Sequence, residues 1–349
     1  MLAPRKTGWI GFDFGATSVK TAQVVRKGRE YQLRSAAIVP RRTRWNSASL
    51  SKEQPISSSD ECAAALSLCD GFKGQDAAAL LPVAICELLQ MDAVATRRGG
   101  QGDELLRAIE AETHRSVSDW VLDSWPADGE GRRINVVTAP RGWSDQISAD
   151  VASSGRRCRV VDALPWALVR ATLLLNEVAQ QPTSAALDWG YGKATLCLIH
   201  EGSPKLVRTL KDCGFQDALA AIQDGLRLTE ADAEIVLIRY ASNGSSDAAS
   251  ETAKALEKLI AKPVARLVQE LRRTLNYWQT VTRGLAPQSL YLFGGGALTG
   301  VEHRLQQELG IDVQAWRLPL EDGADEGKLP PACLLGPAIG LSALAWGNP

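Results

Sequence analysis

A chain of 349 residues, 45% of them apolar, can bury a large core and is expected to divide into two or more domains. A formal net charge of −1 gives no basic face for nucleic acid. The seven cysteines form no CxxC pair and the three histidines lie far apart, so the pattern is one of reduced thiols in a cytosol without a metal cluster.

The first element, residues 8–25, reads GWIGFDFGATSVKTAQVV and predicts a strand, a tight turn and a second strand. Because this hairpin begins almost at once, no signal peptide is expected to open the chain. Asp13, Gly15, Thr17, Ser18 and Lys20 stand at its apex. Gly15 lets backbone N–H groups approach an anion without a Cβ in the way, and the hydroxyls add donors. An acid ending a buried strand beside such a turn can hold a hydrated Mg²⁺ against phosphate oxygens, although an ordinary Asp-x-Gly hairpin explains this stretch equally well.

A third strand is expected at 30–39. Residues 41–60 lose periodicity and fill with Ser, Arg and Pro, the pattern of a mobile surface loop. Helical spacing at 61–69 is followed by a short apolar strand at 76–82. From 84 to 155 the pattern changes to a small α/β unit: strands near 85–91, 120–125 and 133–139, and amphipathic helices at 103–113 and 145–153. A strand end at 159–162 leads to a helix at 165–178 that starts on Pro165.

Residues 185–199, AALDWGYGKATLCLI, repeat the first hairpin, with Asp188 matching Asp13. Further on come a strand at 206–210 and a helix opening at Gly214. A helix at 229–240 has Thr229 and Asp232 in capping spacing, and a long amphipathic helix spans 254–283. The buried strand 289–293 ends on Gly294, Gly295 and Gly296 and leads to a helix at 301–309. A strand ending in glycines before a helix is where phosphates or ribose pack, or simply where strand and helix come close. Residues 329–349 carry no charge over a length that could span a bilayer, but the prolines and glycines within them leave a continuous apolar helix only at 338–346, so a buried terminal helix is expected.

Two matching hairpins followed by FGGGAL resemble the actin-like ATPase superfamily, and the order of parts is similar to the PilM family of type IV pilus assembly proteins over nearly the whole chain. DFGATSVK fits that family's first phosphate loop. The resemblance implies an α/β, actin-like (ribonuclease H-like) duplicated two-lobe fold with an inserted small α/β subdomain. The first lobe would be 1–83 plus 157–183, the inserted, partner-docking subdomain 84–156, and the second lobe 184–349. It implies ATP with Mg²⁺ between the lobes, held by Asp13, Gly15, Thr17, Ser18, Lys20, Asp188, Gly190, Lys193, Glu234, Gly294, Gly295 and Gly296. Asp13 and Asp188 would support the metal directly or through water. The implied partner is the cytosolic N-terminal tail of an inner-membrane PilN-like protein, which would recruit a cytoplasmic protein to the inner membrane within a type IV pilus or type II secretion platform.

Several residues depart from the family pattern. The position before Pro165, where actin-like ATPases carry a Glu or Gln that orients water, is Leu164, and the nearest acid is Asp162. Tyr191 and Lys193 replace small residues, and Leu237 replaces a lysine near the adenosine. These departures favour binding over fast hydrolysis, with at most weak ATPase activity. A nucleotide-free scaffold and a small-molecule kinase of the same superfamily are the alternatives. An FtsA-like filament protein ranks lower, because no basic amphipathic tail follows Trp346.

Overall fold

The computed structural model describes residues 5–28, 30–45, 50, 54–93, 101–113, 116–175, 182–242, 251–318 and 329–347. The hairpin expected at the start forms from β2 (Ile10–Phe14) and β3 (Ser18–Lys27), with β1 (Arg5–Thr7) beside the far end of β3. Every residue of β2 is buried, as its apolar run requires of a strand covered on both faces. β4 (Glu30–Pro40) pairs antiparallel on the other side of β3, while β5 (Asp76–Leu80) and β9 (Arg157–Asp162) add in parallel beyond β2.

The second half repeats this sheet strand for strand. β12 (Ser203–Leu210), β11 (Ala194–His200) and β10 (Thr183–Trp189) are antiparallel, and β13 (Ser289–Phe293) and β14 (Asp312–Ala315) add in parallel. Asp13 stands next to last in β2, beside Leu80, the last residue of β5; Asp188 stands next to last in β10, beside Phe293, the last residue of β13. The same order, the same strand senses and the same register around the two acids make the molecule a duplication.

Between β5 and β9 the chain builds a separate antiparallel sheet from β6 (Glu87–Asp92), β8 (Arg133–Pro140) and β7 (Trp120–Pro126), with α2 (Gln101–Thr113) between the first and last strands in sequence. These strands and α2 lie within residues 84–156. The helix α3 (Arg141–Ser153) buries Trp143, Ile147 and Val151 in the same core as Ile10, Phe12 and Phe14, so it completes the first lobe rather than the insertion. The inserted sheet leans on the second lobe: Trp125 Nε1 donates to the Pro204 carbonyl at 2.6 Å, and Asn135 Nδ2 donates to the Pro204 and Lys205 carbonyls.

Two helices cross between the lobes. α4 (Leu164–Leu173) follows the first sheet, ends earlier than its apolar pattern suggested, and shares a core with β10, β11 and β12. α9 (Ala332–Ser342) follows the second sheet and lies on β2, β3 and β5 of the first, which removes it from the lobe in which its sequence position had placed it. It is the buried terminal helix expected from composition, but it starts before Pro337. A proline cannot donate to the carbonyl four residues back, and that carbonyl, of Cys333, accepts instead from the Gly294 N–H at 3.0 Å. The helix therefore tolerates its proline by fastening a glycine turn of the other lobe. Among the described residues no helix is long and apolar enough to cross a membrane.

The remaining helices cover the sheets: α1 (Ser59–Ser67), α5 (Phe215–Leu226), α6 (Glu230–Ser242), α7 (Glu251–Val281) and α8 (Glu302–Leu309). Thr229 caps α6 as its spacing predicted, accepting from the Asp232 N–H. The segment expected to be a mobile loop at 41–60 is corrected at both ends. Arg41 and Trp45 are buried, and α1 begins at Ser59, because irregular backbone here is fastened by hydrogen bonds that leave no periodic trace in sequence.

Candidate functional site

The two hairpin tips face each other across a cleft of ≈ 230 Å³ between the lobes. Asp13, Gly15, Thr17, Ser18 and Lys20 line it from the first lobe, and Asp188, Gly190, Lys193, Glu234, Gly294 and Gly295 from the second. Gly296, expected among them, does not line the cleft. A Cβ there would lie 2.2 Å from the Trp189 ring, so this glycine serves strand–turn packing.

Lys20 is the cross-strand partner of Asp13, and directly paired residues project to the same face. That register, rather than strand periodicity alone, turns Lys20 into the cleft, where its Nζ lies 2.9 Å from Asp13 Oδ2. Burial works against the Lys20 ammonium, but Asp13 and then Asp188 outweigh it and raise its pKa. The equivalent position in the second hairpin is Thr195, and Lys20 acts on both acids. Burial pushes the Asp188 carboxyl up to about 6, with Lys20 opposing the rise and Asp13 adding to it. Glu234 is also raised by burial, against the pull of Arg44.

Both tips are shaped in the same way. In the first, the Gly15 carbonyl accepts from Arg41 Nε at 2.7 Å, the Ala16 carbonyl from the Trp45 N–H at 2.9 Å, and the Thr17 carbonyl from the Arg41 N–H at 2.9 Å. In the second, the Gly190 and Tyr191 carbonyls accept from the Phe215 and Gln216 N–H groups at the start of α5. Each restraining segment follows the strand that flanks its hairpin, β4 in the first lobe and β12 in the second. Within a trans peptide the N–H points opposite to the carbonyl, so the amides after these carbonyls turn away from the restraining segments and can receive an anion.

Gly294 completes the floor. Its φ of 79° is left-handed, and a Cβ there would lie 2.6 Å from Asp188 Oδ1, so only glycine fits beside the acid. Leu164 lines the cleft where a water-orienting acid was sought, and Asp162 does not replace it. Its carboxylate is bound by Arg170 and by the Ala163 N–H, outside the cleft lining. Asp13, Asp188 and Glu234 are the acids of that lining. Leu237, at the position expected to carry a lysine, is buried in the core of the second lobe.

Sequence reasoning missed Arg41, Arg44 and Trp45. Their signal was the cluster RRTRW directly after β4, whereas in the second lobe α5 follows the matching strand β12.

No protein-family model matches the chain, and no curated protein matches it by sequence. Solved structures do. The chain is similar to a protein of the PilM–PilN type IV pilus biogenesis complex, at 20% identity and a TM-score of 0.69 over 96% of this chain and 97% of that one. It is also similar to the ethanolamine utilization protein EutJ from Carboxydothermus hydrogenoformans, at 14% identity and a TM-score of 0.54 over 98% and 90%. A third likeness is a ROK family glucokinase from Streptomyces griseus, solved with glucose and AMPPNP, at 12% identity and a TM-score of 0.52 over 97% and 99%. With the duplicated topology, these likenesses show the actin-like fold in an arrangement resembling PilM.

Proposed function

We propose that this protein is a cytoplasmic actin-fold adaptor that binds ATP with Mg²⁺ between its lobes and docks the cytosolic N-terminal tail of an inner-membrane PilN-like protein. The inserted sheet is the docking element, in a type IV pilus or type II secretion platform. The observation that carries the nucleotide reading is the pair Asp13 and Asp188, at equivalent registers of duplicated sheets and facing one cleft with Lys20 between them. The donor set fits the group. Two carboxylates suit a magnesium ion that keeps several waters, and an ammonium with two carbonyl-restrained turns suits phosphates. Among the described residues no cluster of three or more His, Cys, Asp or Glu gathers to hold a metal alone, so phosphate or water oxygens would supply its other ligands.

The bound group would supply charge for closing the lobes. The chain's own residues would orient it: Lys20 against phosphate oxygens, Gly294 by letting the backbone approach Asp188, and Glu234 at the nucleoside end. Leu164 lies in the cleft and Asp162 is tied to Arg170, so neither of the two positions considered for orienting an attacking water would do so, and turnover would be slow at most. The PilM likeness supports the partner assignment, and the platform and recruitment to the inner membrane follow from it.

Titration calorimetry with Mg–ATP tests the nucleotide reading. Wild type is expected to bind at pH 8, with Asp13→Ala and Asp188→Ala abolishing the heat. Because the Asp188 carboxyl titrates near 6 in the free protein and only its ionised form serves the metal, affinity should fall as pH drops below about 6, by up to about tenfold per pH unit. The stability sign is opposite. An acid whose folded pKa is raised stabilises below its unfolded pKa, and that contribution is lost as pH rises through 6, so Asp188→Asn should raise the melting temperature of the free protein above pH 6. No heat in wild type, and no nucleotide released on denaturation, would sink this reading in favour of a nucleotide-free scaffold. A synthetic tail peptide of the PilN-like protein that gives no heat with either the free or the ATP-loaded protein would sink the docking role.

A further inference from the structure

Segment 41–45 touches both halves of the site. Arg41 and Trp45 hold all three carbonyls of the first turn, Gly15 to Thr17. They are anchored behind it: the Arg41 guanidinium lies 3.3 Å from the Trp45 ring centroid, Arg41 Nη1 donates to Ser58 Oγ at 2.8 Å, and the Trp45 ring packs edge-on against Trp143. Arg44, one residue before the Trp45 N–H that holds Ala16, points the other way. It forms an ion pair with Glu230 at the start of α6, donates to Tyr191 Oη at 3.4 Å and lies 5.4 Å from the Tyr191 ring centroid. Glu230 and Tyr191 both belong to the second lobe. Arg42, by contrast, pairs among the described residues with Asp60, and both are largely exposed.

We propose that segment 41–45 is a coupling strap: Arg44 latches the second lobe over the cleft, and Arg41 and Trp45 of the same segment set the carbonyls that shape the first anion-facing turn. Release of Arg44 would therefore open the cleft and loosen the turn together. The inference deepens the nucleotide reading, since its purpose rests on a phosphate at that turn, whereas its geometry does not. A part-exposed ion pair with a tyrosine behind it is weak enough to open and reclose.

Hydrogen–deuterium exchange on the full-length protein without nucleotide tests the coupling. Arg44→Ala and Glu230→Gln should each speed exchange at the Arg41 and Trp45 amides, which donate to the Thr17 and Ala16 carbonyls, by about fivefold or more, and the double variant by no more than the larger single effect, while Arg42→Ala should leave these amides unchanged. Faster exchange confined to α6, with the Arg41 and Trp45 amides at the wild-type rate, would overturn the coupling. So would no change anywhere. Release of a fluorescent ATP analogue should speed about tenfold in Arg44→Ala. If wild type binds no analogue, the nucleotide reading fails alone, because the exchange experiment still decides the strap.

Discussion

Gly340→Val is expected to leave little folded protein, and Gly340→Ala to lower the melting temperature by about 3 to 10 °C. Gly340 lies in α9 where that helix crosses α4, and a Cβ there would sit 2.0 Å from the Ala167 carbonyl oxygen and 3.1 Å from the Ala171 nitrogen. Both obstacles are backbone, so no rotamer change can relieve them. On its other side α9 presses against β2, where a Cβ on Gly11 would lie 2.0 Å from the Ala338 carbonyl oxygen. The helix is wedged between the lobes and cannot slide away from one without striking the other.

Overpacking of this kind typically costs about 1–3 kcal/mol, even though alanine gains about 1 kcal/mol of helix propensity over glycine. At roughly 2–4 °C per kcal/mol the shift is readily measured by calorimetry. Gly129→Ala, with nothing within 4 Å of the added methyl, is the control and should stay at the wild-type temperature. A Gly340→Ala protein that melts like wild type would show that the crossing is looser than it stands.

The second large effect is expected at the same crossing. Arg170 of α4 has a side chain only 3% exposed, pairs with Asp162 and donates from Nε to the Gly340 carbonyl at 3.1 Å. Arg170→Ala removes the partner of a nearly buried carboxylate, and breaking such a pair from one side costs about 3–5 kcal/mol. Replacing both members, as Arg170→Met with Asp162→Asn, should recover most of that loss, since the pair as a whole must overcome the desolvation of two charges. Denaturant or thermal unfolding of the two singles and the double decides the matter. A double variant as unstable as Arg170→Ala would mean that the hydrogen bond to Gly340, rather than the lone carboxylate, is what matters. Because Arg170 and Gly340 touch, their substitutions should not add.

Much of the fold is local and was legible. Each hairpin announces itself because strand, turn and strand are contiguous, and the second copy is recognisable because the same local physics recurs around Asp188. The helices at α2, α6 and α7 follow from apolar spacing and, in α6, from the Thr229 cap. The candidate site was legible to the same extent: all of the residues proposed from the two hairpins line one cleft, whereas Gly296 was misread because a glycine needed for ring packing and one needed for ligand approach look alike in sequence. Strand periodicity by itself leaves the direction of Lys20 open. The register across the turn, which sets it directly opposite Asp13, settles its direction.

What composition and periodicity determined by themselves is therefore most of the strands and helices (β1 and β14 excepted), the repeat, and which acids end which strands, since each depends on neighbours a few residues away. Tertiary structure alone decided which lobe owns α3, α4 and α9, that the carbonyl freed by Pro337 fastens Gly294, and that an unpatterned RRTRW segment restrains one turn and reaches the opposite lobe. Those outcomes depend on contacts between residues far apart in the chain. A helix's apolar stripe says that it must be buried but not against which sheet, and an irregular segment held by single hydrogen bonds has no period to read.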